Sequence, residues 1–244
     1  MPSRAETFRA ALRSIIDQVD RLYLYLDGHP AIPDEVRSDP RIVPILSRDV
    51  GGLHANGKLL GLALERGSFI YISVDDDFAY SRSFIKHLRT GLTRYEDRAV
   101  VGYHGVLLKR PFARYNVDRN SIPYESRPRE DRMVDAIGTG AAMFSSDALR
   151  FDVRDWRHVN MVDLCLAMEA NKAGLPMVCL ARRRRRMTAL AEKQPDSIHA
   201  RLLLDDSRQT ELAHELLRFE PVRAGRNQAG AGAARTTGRS TIGR

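Results

Sequence analysis

Short apolar runs and segments with helical periodicity alternate through the first hundred residues. Residues 4–16 carry apolar side chains at helical spacing, RLYLYLDG (21–28) and RIVPILS (41–47) have the composition of strands, and 54–67 is again helical in pattern. SFIYISV, 68–74, is a third strand. Strands separated by helical crossovers usually pair in parallel. The sequence therefore predicts an α/β fold, a mostly parallel, mixed sheet with helices on both faces.

The rest of the chain extends this pattern less regularly. We predict a helix from Ser81 or Ser83 to about Tyr95, a strand over 99–108, a polar loop over 109–132, a glycine-containing loop and short strand over 135–144, a helix over 161–174, a strand over 177–181 and a helix over 196–219. From residue 221 the composition is Gly, Ala, Arg, Thr and Ser, which favours disorder. We expect one domain over 1–220 and a disordered basic tail over 221–244.

The charge balance favours anionic partners. Lys and Arg outnumber Asp and Glu by 39 to 31, which gives a formal net charge of +8. Five consecutive arginines, Arg182–Arg186, could neutralise a diphosphate, contact the headgroups of an anionic membrane, or form a solvated basic loop. Nucleic acid is disfavoured, because no basic stripe interleaved with aromatic residues is present.

Cysteine usage and hydropathy indicate the compartment. Cys165 and Cys179 lie inside apolar runs, which is typical of reduced packing thiols. The N-terminus is charged and amphipathic rather than signal-like, and no apolar run approaches the roughly 20 residues that span a bilayer. We expect a cytoplasmic protein, with peripheral contact at the inner face of the membrane as a further option.

Three consecutive carboxylates, Asp75–Asp77, end the third predicted strand. In α/β sheets ligands bind beyond the carboxyl ends of strands. Clustered carboxylates bind hard cations such as Mg²⁺ or Mn²⁺, whose shell is often completed by substrate phosphate. The alternative is a solvated turn or a cap for the next helix. We favour a cation site, because the triplet directly follows an apolar strand.

Strand-Asp-Asp-Asp-aromatic resembles the metal-binding motif of nucleotide-sugar-dependent glycosyltransferases of the GT-A fold. PSRAETFRAALRSIIDQVDRLYLYLDG, GTGAAMFSSDALRF and NMVDLCLAMEANKAGLP resemble, in order, the opening, the acceptor-side loop and the catalytic helix of family 2 glycosyltransferases. The resemblance covers roughly residues 2–220. It implies a hexosyltransferase-type, metal-dependent and inverting enzyme that uses a nucleoside-diphosphate sugar, UDP-sugar favoured, in polysaccharide or glycoconjugate synthesis. The acceptor would be a saccharide or a lipid-linked hydroxyl.

The resemblance also implies roles for donor-side residues. Asp75 and Asp76 would face the nucleotide and metal-bound water, Asp77, together with Asp75, would hold Mn²⁺ or Mg²⁺, and Asp27 would contact the base or ribose. An Asp-Gly turn explains Asp27 equally well. Lys58 lies where such enzymes place residues near the nucleotide, although a solvated helix lysine has the same pattern.

Acceptor-side roles follow in the same way. Asp163 is the candidate general base that takes the proton of the acceptor hydroxyl; it sits in a Val-Asp pair where the family has Glu-Asp, and a helix-capping acid is the alternative. Gly138, Thr139 and Gly140 would form the acceptor-side wall, or a plain tight turn. His104 and His199 are candidates for a third metal ligand, and a structural histidine is the simpler interpretation of each.

One departure from the family concerns the first strand. Family members begin with an apolar strand before the segment that matches Pro2-Ser3-Arg4, and its absence would leave two sheet edges open. Two alternatives to a glycosyltransferase therefore remain: a sugar nucleotidyltransferase, for which the expected glycine-rich basic loop is not visible, and a degenerate, non-catalytic sugar-nucleotide-binding module.

Overall fold

The structure, a computed structural model, describes residues 5–190 and 205–219. Its α-helices are α1 (Ala5–Ile15), α2 (Asp34–Arg37), α3 (Ser47–Val50), α4 (Gly61–Leu64), α5 (Phe84–Thr93), α6 (Val162–Lys172) and α7 (Ser207–Leu216). Short 3-10 helices span Ile16–Gln18, His54–Leu59 and Val153–Asp155. The strands are β1 (Leu22–Leu26), β2 (Ile42–Leu46), β3 (Ile70–Val74), β4 (Phe78–Tyr80), β5 (Val100–Gly102), β6 (Gly105–Leu108), β7 (Arg119–Ile122), β8 (Arg132–Val134), β9 (Ala136–Ile137), β10 (Ala141–Ser145), β11 (Met177–Cys179) and β12 (Met187–Ala189).

The central sheet has the order β3-β10-β5-β11-β8. Only β5 and β11 pair in parallel, whereas β10 runs antiparallel to both β3 and β5, and β8 runs antiparallel to β11. The predicted α/β class and mixed sheet are confirmed, but the expectation of mostly parallel pairing is wrong for this sheet. The reason is that β10 lies between β3 and β5 and runs antiparallel to both. The local sequence pattern does not indicate which strands will be neighbours in the sheet.

Smaller sheets surround the central one. β1 and β2 pair in parallel, β6 pairs with β7 and β9, and β4 pairs with β12. In the described part of the chain β1 is bonded to β2 alone and β3 to β10 alone. Within the described residues each of these two strands is therefore an edge strand.

Helices cover both faces of the central sheet, as predicted. Successive strand residues point to opposite faces, so Val101 and Met143 pack on the side of α5 with Phe84 and Leu88. On the other face the apolar side chains of the sheet pack with α6 and α7 in a second cluster. That cluster includes Val100, Phe144, Leu166, Leu212 and Leu216.

The final helix, α7, is held against the rest of the fold by hydrogen bonds as well as by apolar packing. Asp206, at the N-cap of α7, accepts hydrogen bonds from Arg114 Nε at 2.9 Å and from the backbone N–H of Asn116 at 2.7 Å. The backbone N–H of Tyr115 donates to Thr210 Oγ1 at 3.1 Å. The Asp206 side chain thus binds a distant segment and makes no capping hydrogen bond to its own helix.

Three segments differ from expectation. The single strand predicted over 99–108 is divided between β5 and β6, which belong to different sheets. The predicted loop over 109–132 contains β7, a polar strand that pairs antiparallel with β6, the strand before it in the chain. The helix predicted over 54–67 is a 3-10 helix followed by the short α4, where Gly57 and Gly61 lie flush against the rings of Tyr25 and Tyr23.

Most other predicted segments are confirmed within a few residues, including the helix ending at Gly174, which has a positive φ of 66°. The predicted tail, 221–244, and the start of the predicted helix over 196–219 lie outside the described residues. Among the helices that the structure describes, none combines the length and apolar character needed to cross a bilayer.

Candidate functional site

A cavity of about 740 Å³ lies between β1 and β3. One end of it is polar and lies at the carboxyl ends of these two strands. Five predicted site residues line the cavity at this end: Asp27, Lys58, Asp75, Asp76 and Asp77. The volume falls within the range of about 300–1,000 Å³ that is typical of ligand sites.

Lys58 and Asp75 form an ion pair at the polar end. Asp75 directly follows β3, and Lys58 belongs to the 3-10 helix His54–Leu59. Lys58 Nζ contacts Asp75 Oδ1. The two side chains are 23% and 30% exposed. Burial acts to lower the pKa of Lys58, but the carboxylates of Asp75, Asp163 and Asp76 outweigh it and the pKa is raised. Lys58 is therefore a cation at neutral pH, held among carboxylates.

Tyr80 fixes the backbone at the start of the aspartate triplet. Its hydroxyl accepts a hydrogen bond from the Asp75 backbone N–H at 2.8 Å and lies 3.0 Å from the Gly140 carbonyl oxygen, to which it can donate. Burial raises the pKa of Tyr80 well above its ordinary value, so the hydroxyl keeps its proton. The bridge joins the end of β3 to the turn that precedes β10.

Asp163 lies in the first turn of α6, as predicted, and is held by Thr139. The backbone N–H and the hydroxyl of Thr139 both donate to Asp163 Oδ1, at 2.8 and 2.7 Å. The two bonds fix the orientation of the Asp163 carboxyl group at the amino end of α6. Oδ2 receives neither of these two bonds, so the contact with Thr139 leaves it available to a substrate proton.

The turn Gly138–Gly140 connects the two acidic positions. A Cβ on Gly140 would lie 2.5 Å from Asp75 Oδ2, so the carboxylate packs directly on this glycine. Thr139, next to it, holds Asp163. Asp163 and the turn do not line the cavity between β1 and β3, but they adjoin its polar end through Gly140 and through the electrostatic contact with Lys58.

Asp27 lies at the same end of the cavity but has a different partner. Its Oδ2 is 3.5 Å from His54 Nδ1. His54 has a positive φ of 48°, a conformation that non-glycine residues seldom adopt and that is often found at binding sites. Burial lowers the pKa of the nearby His29, against the opposing charges of Asp76 and Asp27. Asp27 and Asp76 therefore lie in one electrostatic neighbourhood.

His104 lies against Gly138, in the turn that precedes β10. The Gly138 backbone N–H donates to the His104 carbonyl at 2.9 Å, and a Cβ on Gly138 would come within 3.0 Å of His104 Cβ. Burial lowers the pKa of His104, although the charge of Asp163 opposes the shift. The imidazole is therefore mainly neutral at pH 7. The other candidate third ligand, His199, lies outside the described residues.

The acidic end suits a hard cation held by few protein ligands. Asp75 and Asp77 supply carboxylate oxygens, the ligand type that Mg²⁺ and Mn²⁺ prefer. Within residues 5–190 and 205–219 no group of three or more His, Cys, Asp or Glu residues is arranged to hold a metal. The residues fit an ion bound by one or two carboxylates and completed by phosphate and water, and an ion at Asp75 would compete there with Lys58.

The arginine run is divided by the fold into structural and exposed members. Arg182 is 3% exposed, and its guanidinium donates to the carbonyls of Tyr103 and Pro123, both at 2.8 Å. Arg186 donates to Ser83 Oγ at 2.6 Å. Arg183–Arg185 are exposed. Only these three are open to an anionic partner, so the run is not one uniform basic loop.

Sequence reasoning missed the contact of Tyr80 with the aspartate triplet and the electrostatic effect of Asp76 and Asp27 on His29. Tyr80 belongs to β4, which follows the aspartates closely enough to fold back on them, but an aromatic residue after Asp-Asp-Asp is equally compatible with core packing. His29 follows the Asp27-Gly28 turn, and Gly28 has a positive φ of 70° that turns the chain. The turn signal was visible, whereas the proximity to Asp76 depends on the tertiary fold.

Comparison with known proteins leaves the geometry of the site as the basis for assigning a function. No protein-family model matches this chain, and a search of curated proteins finds no significant match.

Proposed function

We propose that the protein is a glycosyltransferase that moves a sugar, with inversion, from a nucleoside-diphosphate sugar to a hydroxyl acceptor. A GT-A-like sheet is part of this proposal. The observation that carries it is the position of Lys58, a cation among Asp75, Asp76 and Asp163 at the carboxyl end of β3. One charged cluster thus combines groups that suit a diphosphate with a carboxylate that can act as a base.

Each residue has a step in the proposed reaction. Asp163, oriented by Thr139, takes the proton of the acceptor hydroxyl as its oxygen attacks the anomeric carbon. The bond from that carbon to the diphosphate breaks, and the diphosphate leaves with the electron pair. Lys58 would stabilise the charge that develops on the diphosphate. Mn²⁺ or Mg²⁺ held by Asp75 and Asp77 would supply further charge neutralisation.

Substrate, partner and location are parts of the same proposal. Asp27 and His54, which lie together at the polar end of the cavity, would contact the base or ribose of a UDP-sugar. The acceptor is a saccharide or a lipid-linked hydroxyl that enters on the side of Gly138–Gly140. The exposed Arg183–Arg185 would support peripheral contact of a cytoplasmic enzyme with an anionic membrane, in polysaccharide or glycoconjugate synthesis.

The test separates binding from chemistry. UDP binding is measured by calorimetry with and without Mn²⁺, and turnover is measured with a panel of nucleotide-sugars and simple acceptors. Asp163→Asn keeps a side-chain oxygen that can accept the hydrogen bonds of Thr139, but it removes the carboxylate that acts as the base. We expect UDP affinity to be unchanged and turnover to fall by a factor on the order of 10²–10⁴. Glu211→Gln, a change at an exposed carboxylate of α7 that does not line the cavity, is the control and should leave both unchanged.

Other outcomes point to other functions. Absence of UDP binding in the presence of Mn²⁺, or turnover that survives Asp163→Asn, would contradict the proposal. Binding that is independent of metal and gives no turnover would instead indicate the non-catalytic binding module.

A further inference from the structure

Two segments that are far apart in the chain bring exposed arginines to one edge of the central sheet. The Arg182 backbone N–H donates to the Pro128 carbonyl at 2.9 Å. One residue earlier, the Ala181 N–H donates to Asp131 Oδ1 at 2.7 Å. The segment 127–132 therefore lies directly beside the start of the arginine run.

The buried side chain of Arg182 holds the same two segments together. Its guanidinium donates to the carbonyls of Pro123 and Tyr124, at 2.8 and 3.1 Å. Strand pairing extends the contact, because Arg132 of β8 lies opposite Cys179 in the antiparallel ladder with β11. The arginines of the two segments are therefore carried by one bonded framework.

Six exposed arginines share this edge, and we call them the arginine surface: Arg127, Arg129, Arg132 and Arg183–Arg185. In the described part of the chain none of the six forms an ion pair with a carboxylate. Asp131, which lies among them, pairs with Arg94 instead, at 2.8 Å. Glu125 and Glu130 are exposed in the same region. Positive charge therefore exceeds negative charge at this edge.

An exposed apolar side chain accompanies these arginines. Met133 of β8 is 40% exposed and directly follows Arg132. Within residues 5–190 and 205–219 only β11 pairs with β8, so β8 is an edge strand of the central sheet. Apolar side chains beside basic ones are common in segments that bind at the boundary between lipid headgroups and acyl chains.

The arginine surface adjoins the polar end of the cavity. β12 follows the arginine run directly and pairs with β4, which comes just after the aspartate triplet. The Leu190 N–H donates to the Asp77 carbonyl at 2.8 Å. The Tyr124 ring, from the segment that Arg182 binds, packs edge-on against Phe78 of β4 with 4.9 Å between ring centres. A partner bound at the arginine surface would therefore lie close to the candidate site.

From these observations we propose that the arginine surface docks the protein on the headgroups of anionic lipids, with the polar end of the cavity held near the membrane. Guanidinium groups bind phosphate oxygens through paired N–H donors. Each basic side chain close to an anionic leaflet strengthens binding by about fivefold. In the part that rests on the proposed transferase function, docking favours the lipid-linked acceptor over a soluble saccharide.

Nucleic acid offers similar phosphate chemistry, but the arginine surface suits it less well. Proteins that hold single strands stack the bases on open aromatic rings. The segments 127–132 and 183–185 contain no aromatic residue, and the neighbouring Tyr124 ring is packed against Phe78. Met133 provides an apolar contact that suits acyl chains. The observations therefore favour a lipid surface.

The experiment measures sedimentation of the full chain with phosphatidylcholine vesicles, with and without phosphatidylglycerol, in the absence of nucleotide and metal. We expect binding only to vesicles that contain the anionic lipid. Binding should be lost at about 1 M salt, where the Debye length falls to about 3 Å. Residues 221–244 are present in every variant, so their arginines contribute equally throughout.

Two triple variants divide the arginine surface between its segments. One carries Arg183→Gln, Arg184→Gln and Arg185→Gln, and the other carries Arg127→Gln, Arg129→Gln and Arg132→Gln. We expect each to lower the vesicle partition coefficient by about 10²-fold, with urea unfolding unchanged. The matched control removes the same charge at three exposed positions outside the surface, with Arg66→Gln, Arg157→Gln and Arg208→Gln. It should lower the partition coefficient by less than about threefold, because distant charges are screened.

Equal losses in all three variants would overturn the inference, because binding would then follow net charge alone. Absence of binding to anionic vesicles, or a loss confined to one of the two segments, would also overturn it. So would tighter binding to a single-stranded oligonucleotide than to vesicles at equal phosphate concentration. Since these readouts need no sugar donor, a protein that docks without transferring sugar would contradict the proposed function and still support the docking surface.

Discussion

Gly140 sets how closely the Asp75 carboxylate approaches the turn that carries Thr139. The glycine leaves room for Asp75 Oδ2 at a point 2.5 Å from where a Cβ would stand. On its other side Asp75 meets Lys58. The position of the Asp75 carboxylate therefore depends on the lack of a side chain at Gly140 and on the ion pair with Lys58.

Gly140→Ala should displace the Asp75 side chain and break its ion pair with Lys58. We expect a loss of about 1–3 kcal/mol in the free energy of unfolding, since the methyl group overpacks a closed contact, and a loss of UDP binding. Urea unfolding and calorimetry measure the two effects. Gly52→Ala is the control, because a Cβ there meets nothing nearer than 3.7 Å. Unchanged stability together with unchanged UDP binding would contradict the assigned contact.

Single residues of the site were predictable where local pattern and chemistry coincide. Asp75–Asp77 follow an apolar strand, and Asp163 opens a helix, so both could be found in the sequence. The pairing of Lys58 with Asp75, and of Thr139 with Asp163, could not, because each pair spans a connection whose path depends on the sheet order. The metal and sugar roles of these residues stay predictions.

At the scale of elements, Arg182 ties the segment 123–126 to the central sheet. Its guanidinium reaches the carbonyls of Tyr103, Pro123 and Tyr124 and lies 5.2 Å from the centre of the Tyr103 ring. In sequence Arg182 is indistinguishable from the four arginines that follow it. Burial, and not composition, separates a structural arginine from a solvated one.

Arg182→Met should therefore destabilise the protein although it removes one charge from a basic cluster. We expect a loss of about 1–3 kcal/mol, since buried carbonyl groups lose their donor. Arg184→Met, at an exposed position in the same run, should change stability by less than about 0.5 kcal/mol. Urea denaturation of both variants checks the contrast, and equal effects would show that the hydrogen bonds of Arg182 contribute nothing particular.

Elements were predicted from local periodicity with good success, whereas their partners were not. β3, α5 and α6 carry strong apolar patterns and appear where expected. β10 also appears where expected, yet its antiparallel insertion beside β3 could not be foreseen. β7 was missed because a short polar edge strand has the composition of a loop.

The whole molecule should lose stability in alkaline solution. Burial raises the pKa values of Tyr71, Tyr80 and Tyr103, and the carboxylates around Lys58 keep its pKa raised. These groups hold their protons more tightly in the folded state. Their stabilising contribution is complete below the unfolded pKa values of about 10 and is lost as pH rises through the folded values.

Burial also raises the pKa values of the thiols of Cys165 and Cys179 above their ordinary range near 9. We therefore expect the free energy of unfolding to be level near pH 8, to begin to fall near pH 9 and to fall more steeply above about pH 10, by about 1.4 kcal/mol per pH unit for each retained proton. Tyr80→Phe should reduce the slope of this fall by about 1.4 kcal/mol per pH unit, because one retained proton is removed. The same change should lower stability at pH 8, because the hydroxyl no longer bridges Asp75 and Gly140. Urea unfolding across this pH range is the measurement. A profile that stays level to pH 11.5 would contradict the argument.

The anchoring of α7 has a consequence for how the chain matures during translation. The face of the central sheet that carries α6 is completed by Leu212 and Leu216 and locked by Asp206. A nascent polypeptide that has emerged only as far as β11 therefore exposes this hydrophobic face of the sheet until residues 207–216 have left the ribosome. Chaperones should bind the chain most strongly in that interval. A stop codon placed just before α7 should give a truncated protein that aggregates.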